Sequence, residues 1–373
     1  MTVNGTTNGV SNGHSAVKEH DEYAVRTGHR EPLKPTGKLD GFKSVDITPV
    51  LGTEFPTVKL LDWLESPESD ELFRELAITV SRRGVVVFRA QDGITPEHQK
   101  TIARKLGRLS GGPEDHDLHH HPINNSSQNP GVDDLISMVG SRQVKNYAGI
   151  TPALTSNANG KRQSSRKEWH TDIQWEHAPC DYSVLRMEIS PPTGGDTMFC
   201  SGYEIYDRIS TPYQKFFETL SITCSQASYQ LVAEKLGFKM FEGPRGSPLN
   251  VGSELRAVHP LVRTNPVTGW KSLFGIGIQI NKINGLSPEE NENLRNVFYN
   301  LITENHDLQL RCRWENPNDI AIWDNRSVFH AATVDYTGER VGYGARSIGE
   351  RPYFDPSSTS RREGLALEAQ EEA

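Results

Sequence analysis

The chain has 373 residues, 40 Lys and Arg against 48 Asp and Glu, and a formal net charge of -8. That balance argues against nucleic acid as a partner, because phosphate binding needs clustered cations. No apolar run reaches the length of a membrane span, and residues 1–20 lack the apolar core of a secretory leader. Cys180, Cys200, Cys224 and Cys312 stand far apart with no Cys-x-x-Cys pair, so neither a structural zinc site nor a disulfide framework is suggested. A reduced, cytoplasmic compartment is the simplest reading.

Residues 1–40 are rich in Gly, Asn, Ser, Thr and charge, which predicts a disordered N-terminal arm. Ser69–Arg83 has helical spacing of Leu72, Leu76, Ile78 and Val80, and Gly84–Phe88 follows as a short β-branched run that suits a buried strand. Thr95-Pro96-Glu97 opens a second helix, with Thr95 as N-cap and Pro96 at the first helical position. Ser287-Pro288-Glu289-Glu290 opens a third by the same logic, running to about Glu304. Strands are predicted at Tyr182–Ser190, Gly195–Phe199, Ser272–Gly277, Asp319–Trp323 and Tyr343–Ile348, with a turn at Pro191–Gly195. The stretch 356–373 is polar and reads as a flexible tail with a frayed helix at its Glu-rich end. The fold class is therefore mainly β with flanking helices, a jelly roll, over one catalytic domain at 41–355.

The chemical signal starts at Trp169-His170-Thr171-Asp172. If this segment is a strand, His170 and Asp172 point to one face while Thr171 points away. A histidine and a carboxylate make two-thirds of the facial triad of non-haem Fe(II) oxygenases, and His330 is the candidate third ligand. Such a set leaves three positions open, enough for a chelating 2-oxo acid and O2. His-x-Asp alone is weak: among 13 histidines about one chance occurrence is expected. Arg340, ten residues after His330, strengthens it, since a guanidinium can hold a carboxylate through two parallel hydrogen bonds. The basic run Lys161, Arg162, Arg166 and Lys167 reads first as a solvated loop, with Arg166 as a candidate anion contact near the first ligands.

Several segments resemble the taurine/2-oxoglutarate dioxygenase family: Trp169–Asp172, Gly194-Gly195-Asp196-Thr197, Asn318–Arg326, His121-Pro122, Val258–Arg263 and Gly349–Phe354. The resemblance spans about Phe42 to Asp355, and the long polar arm and the Arg-Pro-Tyr-Phe-Asp ending are similar to fungal sulfonate dioxygenase-like members. It implies a double-stranded β-helix, iron held by His170, Asp172 and His330, the distal carboxylate of 2-oxoglutarate on Thr197 and Arg340, and His121 near the substrate. The remaining histidines of the run, His119 and His120, read as loop residues. The implied activity is oxidation of an unactivated C–H of a small anionic substrate, a sulfonate, amino acid or other carboxylate, with Fe(II), 2-oxoglutarate and O2, release of succinate and CO2, and ascorbate as a supporting reductant in vitro. The sequence departs from sulfonate-oxidising members at one place. Their second arginine, four residues after the first, corresponds to Gly344, and Arg346 lies two residues on, on the same strand face. Either Arg346 reaches over as a substrate contact or the anion pocket is absent. Two other readings of the same ligands stay open, a zinc hydrolase and a barrel that only binds a small ligand. Homo-oligomerisation is left open as well.

Overall fold

The computed structural model describes residues 31–124, 133–141, 164–371 and 373; most of the predicted arm, and Lys161 and Arg162 of the basic run, lie outside them. The structure is mostly sheet with some helices. A seven-stranded sheet runs in the order Val45–Asp46, Thr53–Phe55, Val85–Phe88, Asp319–Asp324, Cys180–Ile189, Val341–Ile348, Ser137–Gly140. Its pairings are antiparallel except that of Thr53–Phe55 with Val85–Phe88.

This sheet is buried on both faces, which is why the strand Val85–Phe88 and the stretch Ile320–Trp323 read as unbroken apolar runs rather than alternating ones. Val86, Phe88, Ile320, Ile322, Tyr182 and Val184 face the helices Ser69–Arg83 and Pro96–Leu109, packing on Leu72, Leu76, Ile102 and Leu106. Val85, Val87, Leu185, Met187, Ala321 and Trp323 face the other way, onto Phe199, Leu310, Cys312 and Val328. The latter belong to a three-stranded sheet of Gln309–Cys312, Thr197–Ser201 and Val328–Ala332. The functional side chains lie between these two sheets.

The helix starts follow their predicted caps. Thr95 accepts from the His98 amide and His98 reciprocates through Nδ1, while Ser287 and Glu290 form the same box at the helix Pro288–Thr303. Two strands differ from expectation. Gly194 and Gly195 both sit in the left-handed region (φ 73° and 68°), so the turn continues through Gly195 and the strand begins at Thr197. The run Ser272–Gly277 is a strand only over Lys271–Leu273; the Phe274 amide still donates to the Leu261 carbonyl at 2.8 Å, and Phe274 and Ile276 continue as buried core.

Both ends pack more than their composition suggests. Within 31–40, the Leu33 amide donates to the Val267 carbonyl, Thr36 donates to Glu75, and Leu39 is buried. The stretch expected as a flexible tail carries the helix Arg361–Glu371. Arg82 binds Glu368 through two hydrogen bonds of 2.8 and 2.7 Å, and Arg361 and Arg362 both reach the buried Glu204. Truncation after Ser360 is therefore predicted to destabilise the protein by about 1–3 kcal/mol, since Glu204 loses both cations and Arg82 loses its hydrogen bonds to the helix. Denaturant titration of the truncated chain checks this; a change below about 0.5 kcal/mol would show that the helix contributes nothing.

Candidate active site

Three elements bring the site together. His330 lies in the strand Val328–Ala332, opposite Phe199. His170 follows the short 3-10 turn Arg166–Glu168 and pairs with His330 through a single bridge, its amide and carbonyl exchanging bonds of 3.0 and 2.9 Å. Residues 169–172 are thus not a regular strand. The chain turns over 172–175, and Ile173 has φ 48°, a costly conformation for a β-branched residue. The bridge at His170 and this turn, not strand parity alone, aim Asp172 at the histidines.

The geometry fits one metal ion. One donor atom from each of His170, Asp172 and His330 lies within 4.8 Å of the others. Asp172 Oδ1 is 4.0 Å from His170 Nε2 and 3.7 Å from His330 Nε2. His170 Nδ1 lies 2.7 Å from the Glu168 carbonyl oxygen. A carbonyl only accepts, so Nδ1 carries the proton and Nε2 offers its lone pair toward the cluster. Burial, with the neighbouring charges of His170 and Arg346 adding to it, lowers the His330 pKa to about 3, and burial likewise lowers that of His170. Burial thus favours the neutral form of both rings, the form metal ligation requires. Burial alone would raise the Asp172 pKa, but Arg346, His330 and His170 outweigh it and hold the carboxyl well below its usual range. One carboxylate and two neutral imidazoles, with no thiolate in the set, suit a first-row divalent ion such as Fe(II) or Zn(II).

A cavity of about 250 Å³ opens beside the triad. Thr197, Trp323, Tyr336, Arg340, Gly344 and Arg346 are among its lining residues. Arg340 is buried, and among the described residues no carboxylate pairs with it. Its Nε donates to the Gly195 carbonyl (2.6 Å) and its Nη2 to Thr197 Oγ1 (3.3 Å). Its pKa is lowered by burial, a cost an anionic ligand would offset. Arg346 does reach over: its guanidinium lies 3.4–3.6 Å from where a Cβ on Gly344 would stand, so it packs alongside that glycine at ordinary van der Waals distance. The sequence did not reveal its partner. Arg346 Nε donates to Asp172 Oδ2 at 2.8 Å rather than pairing with a surface acid.

The remaining candidates lie elsewhere. His121 is buried beside Tyr229, with ring centroids 5.3 Å apart, on the Arg346 side of the triad and not on the cavity wall. Its Nδ1 accepts the amides of Ile123 and Asn124 (3.2 and 3.0 Å), leaving a proton on Nε2. Arg166 does not line the cavity. The 3-10 turn faces its side chain to the helix Pro288–Thr303, where it donates to Asn296 at 2.6 Å and lines a separate surface cavity with Lys167. His119 pairs with buried Glu176 (3.1 Å), which Arg245 also holds, and His120 stacks on Phe241 at 3.6 Å, so both are packing residues. Sequence reasoning missed Ser183 and Asn325, which contact Asp172 directly. Asn325 lay within the quoted motif Asn318–Arg326, but nothing in the spacing said which of Asp324, Asn325 and Arg326 faces the site.

Residues 43–346 match the family described as taurine catabolism dioxygenase TauD, TfdA family. The alpha-ketoglutarate-dependent dioxygenase btcD of Neocamarosporium betae is 50% identical, over 90% of this chain and 98% of that protein. An alpha-ketoglutarate-dependent sulfonate dioxygenase of Saccharomyces cerevisiae is 32% identical, over 90% of this chain and 74% of that protein. A taurine dioxygenase from Burkholderia xenovorans shares the fold, with a TM-score of 0.60 at 21% identity over 85% of this chain and 92% of that one.

Two outcomes are predicted. His170→Ala, Asp172→Ala and His330→Ala each lose Co(II) or Fe(II) binding by calorimetry while keeping the wild-type near-ultraviolet dichroism; retention of near-normal affinity in any one would remove that residue from the site. Because burial lowers the pKa of both histidines, Co(II) affinity should fall less between pH 7.5 and pH 6 than the more than about tenfold expected of two ordinary histidines with pKa near 6.5, and a tenfold or larger fall by calorimetry would contradict this.

Proposed function

Because the chain belongs to the TauD/TfdA dioxygenase family, we propose that His170, Asp172 and His330 hold Fe(II) and that Arg340 and Thr197 anchor the distal carboxylate of 2-oxoglutarate. The protein is a 2-oxoglutarate-dependent dioxygenase, as its relatives are. The observation that carries the residue assignment is Arg340, a buried guanidinium without an acid partner among the described residues, in the cavity that also exposes the triad. A hydrolase built on the same ligands would have no use for such an anion seat.

Fe(II) with 2-oxoglutarate and O2 supplies the oxidation of an unactivated C–H, with succinate and CO2 as products. The residues of the chain bind, orient and exclude water. Arg340 presents a fork to a carboxylate, its Nε fixed on Gly195 and its Nη2 beside the Thr197 hydroxyl. Trp314 Nε1 donates to Thr197 Oγ1 (3.3 Å), which orients that hydroxyl. Leu185, Trp323 and Val334 make the cavity wall apolar. The prime substrate is proposed to be a small anion, a sulfonate, amino acid or other carboxylate, met by Arg346 on the cavity wall, with His121 as a further candidate contact. The two inner sheets are proposed as the walls of a double-stranded β-helix, and the enzyme as cytoplasmic.

Anaerobic titration of the Fe(II) protein with 2-oxoglutarate tests the assignment. Arg340→Leu should weaken 2-oxoglutarate about tenfold or more, equivalent to about 1.4 kcal/mol per decade. Arg340→Lys should recover only part, because a point charge cannot reproduce the fork. Unchanged affinity in Arg340→Leu would move the anion seat elsewhere.

A further inference from the structure

One strand register places three side chains in a row. Trp323 and Arg346 both stand opposite Ser183, on the two strands that flank Cys180–Ile189, and all three line the cavity. Ser183 and Arg346 converge on a single atom, Asp172 Oδ2, at 2.9 and 2.8 Å. Asp172 Oδ1 is instead the oxygen nearest both histidines. The two carboxylate oxygens are thereby given different tasks.

Asn325 decides which. Two groups that can only donate, the Asp172 amide (3.1 Å) and the Trp323 indole N–H (3.0 Å), point at one atom of its side chain, so that atom is the carbonyl Oδ1. The other atom is then Nδ2, which donates to Ser183 Oγ at 2.6 Å. With a donor arriving on its oxygen, the Ser183 hydroxyl turns its own proton to Asp172 Oδ2. The chain of bonds has one direction, from the Asn325 amide through Ser183 to the carboxylate. Asn325 is itself fixed, buried with its backbone amide on the Asp181 carbonyl at 2.8 Å. It also holds the backbone at Asp172 just before the strained Ile173.

We infer that Asn325 is a positioning residue that sets the orientation of the Asp172 carboxylate, committing Oδ2 to the protein and leaving Oδ1 for a metal ion. The inference rests on the reading of His170, Asp172 and His330 as the metal site. Without the Asn325–Ser183 donor pair, Arg346 alone holds Oδ2, and the carboxylate loses one of its two restraints against offering both oxygens to the metal. Asn325→Asp keeps the shape and still accepts from the Asp172 amide and the indole, but it cannot donate to Ser183. Ser183→Ala removes the donor to Oδ2 and leaves Asn325 on its other two partners.

The test uses full-length protein and Co(II) alone as the probe, with calorimetry for affinity and ligand-field absorption for geometry. Both variants should weaken Co(II) about 10- to 100-fold, the range for lost second-layer partners of metal ligands. Their Co(II) absorption band should shift, and near-ultraviolet dichroism of the metal-free protein should not change. The double variant should be no weaker than Asn325→Asp alone, because the two residues act in series. If Asn325→Asp does not fold, Ser183→Ala decides. Wild-type affinity and an unchanged band in a folded variant overturn the inference. Failure of the wild type to bind Co(II), or normal binding by His170→Ala, overturns the metal-site reading and the inference with it.

Discussion

The contact between Arg346 and Asp172 is the constraint on which the site depends. A carboxylate buried among two imidazoles is costly unless a cation and hydrogen bonds meet it. Arg346 supplies the charge at 2.8 Å and Ser183 a hydroxyl at 2.9 Å, both on the same oxygen. The pairing requires the strands Cys180–Ile189 and Val341–Ile348 to be in register, with Arg346 opposite Ser183, and the guanidinium packs beside Gly344. A Cβ at 344 would only touch the guanidinium, whereas a side chain as long as arginine pointing the same way would compete with it. The glycine that stands where sulfonate-oxidising members are expected to carry an arginine thus lies directly beside the arginine this chain has.

The two arginines of the cavity illustrate how burial sorts charge. Arg346 is matched by Asp172, and the matching raises its pKa against the effect of burial. Among the described residues Arg340 has only neutral acceptors, Gly195 and Thr197, and burial lowers its pKa. An unmatched buried cation facing a cavity is a poor arrangement for stability alone and a good one for an anionic cosubstrate. Twofold burial of the seven-stranded sheet makes both positions rigid, since its strands are covered by helices on one side and by a second sheet on the other.

Much of this was legible in the sequence where local chemistry decides. Pro96 and Pro288 with their caps marked helix starts, and the β-branched run ending at Phe88 marked a central strand. His170, Asp172, His330, Thr197 and Arg340 were found from residue type, spacing and family resemblance, and the structure brings them to one cavity. What stayed hidden depends on side-chain direction across long separations. In Asp324-Asn325-Arg326, the Asp and Arg bind each other at 2.8 and 2.7 Å and serve the fold, while Asn325 alone turns to the site. Arg166 is close to His170 in sequence, yet a single 3-10 turn sends it to another surface. The packing of the helix Arg361–Glu371 was hidden because its partners, Glu204 and Arg82, are far away in the chain.

A crystal structure of the protein soaked anaerobically with Mn(II) and 2-oxoglutarate, recorded at the manganese absorption edge, tests the account most directly. The account predicts one anomalous peak bound by His170 Nε2, His330 Nε2 and Asp172 Oδ1 alone, with Oδ2 still on Arg346 and Ser183 and the distal carboxylate of 2-oxoglutarate on Arg340. A peak at other residues, or a carboxylate gripping the metal with both oxygens while Arg346 stands apart, would contradict it.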